Sequence, residues 1–149
     1  MKKLSLVTLA LLWAFLSSHA DVRLPNVLNS NMVLQRDMPV PIWGWADKGE
    51  KVTVSFAGQK KSATVGKNGE WMVKLDKLKA SAKPAVLTVK GNNEIKLENV
   101  LVGEVWICSG QSNMGWSTGN SFEAEGEAEV DLPGFRIYRS AREHWHEPL

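Results

Sequence analysis

Apolar and polar residues alternate through the first two thirds of the chain, and this pattern predicts short β-strands. Between residues 51 and 56, the apolar side chains Val52, Val54 and Phe56 recur at every second position, as in a strand with one buried face. The expected extended pieces are residues 32–34, 40–45, 51–56, 61–65, 71–75, 85–90 and 94–97. Turn-forming residues separate these pieces and no helical period occurs, so residues 21–100 are predicted to form an antiparallel β-sandwich.

The hydrophobic pattern changes at Leu101. Leu101-Val102 and Val105-Trp106-Ile107 are apolar on both faces, which is typical of a strand covered on both sides in a parallel α/β sheet. A helix over residues 122–130 and a strand over residues 135–140 are expected to follow. Residues 101–149 are therefore predicted to begin an α/β domain, truncated here because one βαβ unit cannot cover both faces of such a sheet.

The first twenty residues resemble a targeting segment rather than part of a fold. Lys2 and Lys3 precede an apolar run from Leu4 to Leu16, and Ser18-His19-Ala20 supplies small residues where a signal peptidase cleaves. The apolar run is shorter than the ~20 residues of a membrane span, and an uncleaved anchor is the alternative. We expect cleavage after Ala20, a periplasmic or secreted product, and no membrane anchor after cleavage.

The charge balance gives no indication of an anionic partner. The 149 residues include 18 basic and 16 acidic side chains, and Lys2 and Lys3 are the only charges in the predicted signal peptide. The remainder is therefore neutral, which argues against nucleic acid as a partner. No spacing of His, Cys, Asp or Glu predicts a metal site, and no cofactor is expected.

Cys108 is the single cysteine of the chain, so an internal disulfide is excluded. Its place in the apolar run before residue 110 predicts a small buried side chain. A reactive thiol, or pairing with a cysteine beyond residue 149, is the alternative.

The candidate chemistry lies where the predicted strand 105–107 leads into Gly110-Gln111-Ser112-Asn113. A serine on a sharp turn after a strand is where hydrolases place a nucleophile, with backbone N–H groups free to face an oxyanion. Ser112 is therefore the candidate nucleophile, and its own N–H is a candidate oxyanion donor. Gln111 and Asn113 are expected to brace the turn or to contact substrate. An ordinary polar turn is the competing interpretation.

Trp43 and Trp45 are two residues apart on a predicted strand and are expected to share one of its faces. Exported β-sandwiches can stack sugar rings on tryptophan. Core packing is the more common role of aromatic side chains in small domains.

Three separated blocks resemble the sialate O-acetylesterase family, which belongs to the SGNH (GDSL-like) hydrolases. Residues 103–114, Gly-Glu-Val-Trp-Ile-Cys-Ser-Gly-Gln-Ser-Asn-Met, resemble its nucleophile block. Residues 28–36, Leu-Asn-Ser-Asn-Met-Val-Leu-Gln-Arg, resemble the family's mature N-terminus, as do residues 40–46 with the following residues 49–52. The resemblance extends from about Leu24 to Met114, and more loosely to Arg139.

The resemblance implies an exported enzyme that removes O-acetyl groups from sialic acids or related acetylated sugars. It implies a β-rich N-terminal domain followed by an α/β/α SGNH domain, with Ser112 attacking the ester carbonyl. In the family, a Gly-x-Asn-Asp block that carries oxyanion donors and an Asp-x-x-His block both come from later segments. Neither block occurs in these 149 residues. This chain alone is therefore expected to be inactive, and neither His144 nor His146 is assigned as the base.

Two other functions remain open at this point. A non-catalytic β-sandwich could bind carbohydrate or dock another domain. The same serine chemistry would also serve an acetylxylan-type carbohydrate esterase.

Overall fold

The computed structural model describes residues 21–120, 122, 125–126 and 131–139. The predicted signal peptide and most of the helix predicted over residues 122–130 lie outside these residues. The described residues contain seven strands: β1 (Val33–Gln35), β2 (Val40–Trp45), β3 (Lys51–Phe56), β4 (Gln59–Thr64), β5 (Glu70–Leu75), β6 (Ser81–Lys90) and β7 (Glu94–Gly103). Within the described ranges, no helix is long and apolar enough to cross a membrane.

The strands form two sheets. Five strands are ordered β1-β7-β6-β3-β4, and β2 pairs with β5 in a separate two-stranded sheet. The predicted β-rich module is therefore confirmed. The prediction that all of its strands pair in an antiparallel way was wrong, because β1 runs parallel to β7. In this pair Val33 lies opposite Leu101 and Gln35 lies opposite Gly103.

Local sequence explains the most regular hairpin, between β3 and β4. Ala57 and Gly58 both have positive φ, at 49° and 78°. Two such residues make the tight turn that matches the natural twist of paired strands. Phe56 therefore pairs directly with Gln59, and β4 begins two residues before the predicted position at Lys61.

Alternating apolar residues from both sheets fill one core. On β3, Val52, Val54 and Phe56 point inward, as predicted from their spacing. The other inward-facing members of the same cluster include Ile42 on β2, Trp71, Val73 and Leu75 on β5, Leu87 and Val89 on β6, and Val100 and Val102 on β7. Because these positions come from both sheets, the apolar side chains that alternate along each strand pack against each other between the two sheets.

A bulge in β7 changes which of its residues face the core. Leu97 lies opposite Leu87, but Val100 lies opposite Ala85, so β7 contains one extra residue in this interval. Asn99 takes that position with φ of 56°, a left-handed conformation that asparagine tolerates better than most residues. The bulge turns Val100 and Val102 inward, and the strand continues through residue 100 to Gly103.

The segments after Gly103 differ from the prediction. Val105, Trp106 and Ile107 form no strand in this structure, and their side chains are 48%, 83% and 93% exposed. Residues 135–139, the described part of the strand predicted to end at residue 140, are not paired either. Both strand predictions were wrong for the described residues, because no neighbouring strand within them covers these apolar segments. An apolar sequence alone forms no ladder without a partner.

Gly44 lies where two backbones approach each other closely. The main chain of Arg23 pairs with Trp45 through N–H···O bonds of 2.8 and 3.0 Å, and a Cβ on Gly44 would lie 2.0 Å from the Arg23 carbonyl oxygen. A backbone atom cannot yield as the end of a flexible side chain can. Gly44 therefore allows the main chain at Arg23 to pair with the end of β2, at the edge of the two-stranded sheet.

Gly44→Ala is expected to lower the free energy of unfolding by about 1–3 kcal/mol, because the methyl group forces the main chain at Arg23 away from β2. Urea unfolding monitored by tryptophan fluorescence measures the change. Gly134→Ala is the matched control, since a Cβ at residue 134 meets no heavy atom within 4 Å. Equal stability of the two variants would contradict the proposed close approach.

Candidate functional site

Ser112 begins a single 3₁₀ turn that spans Ser112–Gly115. Gln111 precedes it in extended conformation, with φ of −94° and ψ of −155°. The N–H of Met114 donates to the Gln111 carbonyl at 2.9 Å, and the N–H of Trp116 donates to the Asn113 carbonyl at 3.1 Å. The chain therefore turns sharply at the residues that the sequence indicates.

The bracing of this turn comes from the main chain. The carbonyl oxygens of Gln111 and Asn113 accept the two bonds, while both side chains are exposed. Ser112 is exposed as well. The hydroxyl of Ser112 and the two flanking amides are thus available to a molecule approaching from solvent.

The start of the turn also offers N–H groups. The first N–H groups of a helical turn have no acceptor inside it, and here they belong to Ser112 and Asn113. Such groups can donate to an oxygen that gains negative charge. Within the residues that the structure describes, no side chain is hydrogen-bonded to the Ser112 hydroxyl, and His19, His144 and His146 all lie outside them.

Gly110 permits tight packing within the turn. A Cβ there would lie 2.6 Å from Cγ of Met114. The methionine side chain therefore crosses close over the glycine, at the base of the turn that presents Ser112.

Gln35, at the end of β1, connects the β-module to this segment. Its Oε1 accepts the Val105 N–H at 2.8 Å, and its Nε2 donates to a carboxylate oxygen of Glu104 at 3.1 Å. Sequence reasoning did not single out Gln35 or Glu104, although each lies in one of the blocks of family resemblance. Their proximity comes from the β1–β7 pairing, which a single sequence does not reveal.

Arg36 adds charge to the same contact. Its N–H donates to the Gly103 carbonyl at 2.9 Å, and its Nε lies 3.7 Å from a Glu104 carboxylate oxygen. A hydrogen bond and the charge of Asp37, 2.5 Å away, raise the pKa of the Arg36 guanidinium, and Glu104 raises it further. An arginine guanidinium is already cationic across the working pH range of proteins, so Arg36 faces the Glu104 carboxylate as a full positive charge.

Arg136 makes a second connection to the module. Its guanidinium donates to the Met32 carbonyl at 3.2 Å, to the Asn99 side-chain oxygen at 2.9 Å, and to the Asn99 carbonyl. Asn99 in turn donates from its side chain to the Asn31 side-chain oxygen at 2.7 Å. The bulge residue and residue 136 thus share one polar network.

Cys108 does not occupy the predicted buried position. Its thiol is exposed in this structure. The prediction of a small buried side chain was wrong because the run 105–107 before it is not covered by any of the described residues. In those residues, no group of three His, Cys, Asp or Glu side chains is placed to hold a metal ion.

Trp43 and Trp45 lie on the same face of β2, as their spacing predicts. Trp43 is partly buried and packs against the core cluster, whereas Trp45 is 38% exposed. Met72 lies opposite Trp43 on β5 and is also exposed. Core packing thus accounts for Trp43, and Trp45 remains partly open to solvent.

The module has a close counterpart among solved structures. A carbohydrate acetylesterase from Xanthomonas citri superposes with a TM-score of 0.63 and 39% sequence identity, over 66% of this chain and 23% of that one. This likeness in both fold and sequence relates the chain to the carbohydrate acetylesterases. No protein-family model matches the chain.

Curated relatives narrow the class. Human sialate O-acetylesterase is 35% identical over 150 residues, covering 93% of this chain, and the Pongo abelii protein of the same name is 34% identical over the same share. The Rattus norvegicus sialate O-acetylesterase is 34% identical over 80% of this chain. The chain is therefore homologous to the sialate O-acetylesterases, and the resemblance carried by its three blocks is confirmed. It spans about a quarter of their length, 28% of the human protein.

The exposed thiol provides a check on the segment before Ser112. Cys108 is expected to react with a thiol reagent such as DTNB in the folded chain within a few-fold of its rate in urea, because no described residue shields it. Absorbance at the wavelength of the released thiolate measures the rate, with Cys108→Ser as the blank. Protection by orders of magnitude in the folded chain would instead support a buried position.

Proposed function

We propose that this chain carries the nucleophile region of a carboxylic ester hydrolase that removes O-acetyl groups from sialic acids or related acetylated sugars. The observation that carries the proposal is Ser112, exposed at the start of a 3₁₀ turn, in a chain homologous to sialate O-acetylesterases over 93% of its length. The Xanthomonas citri carbohydrate acetylesterase supports the same class of substrate.

In the proposed reaction, Ser112 Oγ bonds to the acetyl carbonyl carbon while its proton passes to a general base. The carbonyl π electrons move to oxygen, and the N–H of Ser112 donates to the resulting oxyanion. Loss of one such donor typically slows catalysis about 10²–10³-fold. Collapse of the intermediate breaks the bond to the sugar oxygen, which takes the proton, and water then releases acetate from the acetyl-serine.

A serine hydroxyl needs a base within hydrogen-bond reach, held by a third group. In the family that the chain resembles, a histidine and an aspartate of a later Asp-x-x-His block supply these roles. That block is not among the 149 residues. We therefore propose that the chain on its own does not turn over ester.

Gln111 and Asn113 are proposed as substrate contacts rather than as side-chain braces. Main-chain carbonyls already close the turn, and both side-chain amides are exposed beside Ser112. An amide carries donors and an acceptor, so each could bind a sugar hydroxyl or the ester oxygen.

The wider context is proposed on the same basis. Residues 1–20 are proposed as a signal peptide, which would make the enzyme periplasmic or secreted. Residues 101–149 were predicted to begin an α/β/α SGNH domain; because residues 101–103 complete β7 of the β-module, we propose that this domain begins after Gly103. The exposed apolar side chains of Trp106, Ile107 and Ile137 support this, since they would be covered in a larger sheet.

Ser112→Ala is expected to reduce acetate release from an O-acetylated sialic acid by roughly 10³-fold or more, in the protein expressed from the complete gene. Ser117→Ala, an exposed serine on the same segment, is the matched control and should retain turnover. Unchanged activity in Ser112→Ala would reject the nucleophile assignment. Faster turnover of acetylated xylan than of the sialic acid would reassign the sugar and keep the mechanism.

A second candidate function rests on the partly open Trp45. A carbohydrate-binding module would stack a sugar ring on this side chain, with the exposed Met72 diagonally across the strand pair. Glycan-array binding that survives truncation after Glu104, and that Trp45→Ala reduces at least tenfold, would support binding without catalysis. Glycan binding that Trp45→Ala leaves unchanged would contradict this second function. Met72→Ala tests whether the neighbouring surface contributes to the same binding.

A further inference from the structure

The β1–β7 strand pair contacts the downstream chain at both of its ends. At the end formed by Gln35 and Gly103, the Gln35 side chain holds Val105 and Glu104. At the other end, Arg136 holds Met32 and Asn99. The segments on either side of Ser112 therefore both rest on the same pair of strands.

The Gln35 contact continues the sheet beyond the last residue of β1. The main chain of β1 leaves the ladder after Gln35, and the Arg36 N–H makes the final main-chain bond, to Gly103. The side-chain amide of Gln35 then accepts the Val105 N–H, as the carbonyl of another strand residue would. The chain direction at Val105 is thus set by a side chain of the N-terminal block.

Both polar atoms of the Gln35 amide are used, which fixes its orientation. Oε1 accepts from Val105, while Nε2 donates to Glu104 at 3.1 Å and to the Arg36 carbonyl at 3.3 Å. Arg36 lies on the other oxygen of the Glu104 carboxylate. Glu104 is therefore held from two sides, and it is the residue directly before Val105.

Val105 precedes Ser112 by seven residues, and residues 105–111 belong to no strand or helix. The Gln35 bond is consequently the last hydrogen bond between the β-module and the described chain before the turn. Arg136 provides a second anchor beyond the turn. Its contacts at Met32 lie about 10 Å from Gln35 along the strand, at the usual strand rise.

We propose that Gln35 is a positioning residue for Ser112: its amide, paired with Glu104 and Val105, sets the path by which the chain leaves the β-module toward the nucleophile turn. This inference rests on the proposed function for its catalytic consequence. Its structural part concerns this chain alone. It assigns the β-module a role in catalysis without any contact to substrate.

The structural part is tested by hydrogen exchange at the Val105 amide of this chain. Gln35→Ala and the shortened Gln35→Asn are expected to speed exchange at Val105 at least tenfold, because the acceptor is lost. Exchange at Val54 and Val89, in the core strands, should not change. Equal Val105 exchange in wild type and both variants overturns the inference.

The catalytic part is tested in the protein expressed from the complete gene. Gln35→Glu keeps an acceptor for Val105 but sets a carboxylate against Glu104, so kcat is expected to fall roughly 10–100-fold with little change in KM. The double variant Gln35→Glu/Glu104→Gln restores one donor and one acceptor and is expected to recover most of kcat. A double variant no better than the single variant overturns the proposed pairing.

Gln59→Glu is the matched control. The Gln59 amide also bonds to main chain, accepting the Asp76 N–H at 2.7 Å, but it lies on β4, away from the exit of β7. An equal fall of kcat in Gln59→Glu would show that the effect of Gln35→Glu comes from a general loss of stability, and it would overturn a positioning role. Unchanged turnover in Ser112→Ala rejects the proposed function, whereas unchanged Val105 exchange rejects the Gln35 contact, so the two failures are distinguishable.

Discussion

The parallel pairing of β1 with β7 is the constraint on which the rest of this structure depends. Two parallel neighbours cannot be joined by a tight turn, so β2 to β6 together form the connection between them. This pairing closes the five-stranded sheet at one edge and brings Gln35 beside Gly103. It thereby joins the start of the folded chain to the point where the chain departs toward Ser112.

The packing between the two sheets supports that pairing. Leu34, the central residue of β1, is buried in the same cluster as Ile42 and Leu75 of the smaller sheet. At roughly 25 cal/mol per Å² of apolar surface removed from water, such a cluster supplies the main stabilisation of a small module. A three-residue edge strand with few ladder bonds needs this burial to remain in place.

The site divides into a local part and a remote part. The turn at Ser112 is local, because it is closed by bonds between residues three apart in sequence. The direction from which the chain enters the turn is remote, because Gln35 lies 70 residues from Val105. Under the proposed function, the nucleophile must meet its base and its substrate in one geometry, which is why the direction set at Val105 bears on the proposed role of Ser112.

The sequence by itself determined the features with a short-range cause. The alternation at Val52, Val54 and Phe56 and the strand limits Val40–Trp45 follow from the periodicity of the sequence. The sharp turn at Ser112 has a short-range cause as well, and the resemblance blocks indicated its family. These features are set by interactions between residues close together in the chain, and the sequence shows such neighbours directly.

Only the tertiary structure decided which strands are neighbours and which apolar segments are covered. The parallel β1–β7 pair, the inward turn of Val100 at the Asn99 bulge and the exposure of Cys108 depend on residues far away in the chain. The apolar run at Val105 was expected to be a buried strand because its composition is apolar. Composition gives only the tendency to be buried, and burial also needs a neighbouring element to cover the run. The Gln35 contact is of this kind as well, since a side chain can complete a ladder only after the fold has brought the ladder to it.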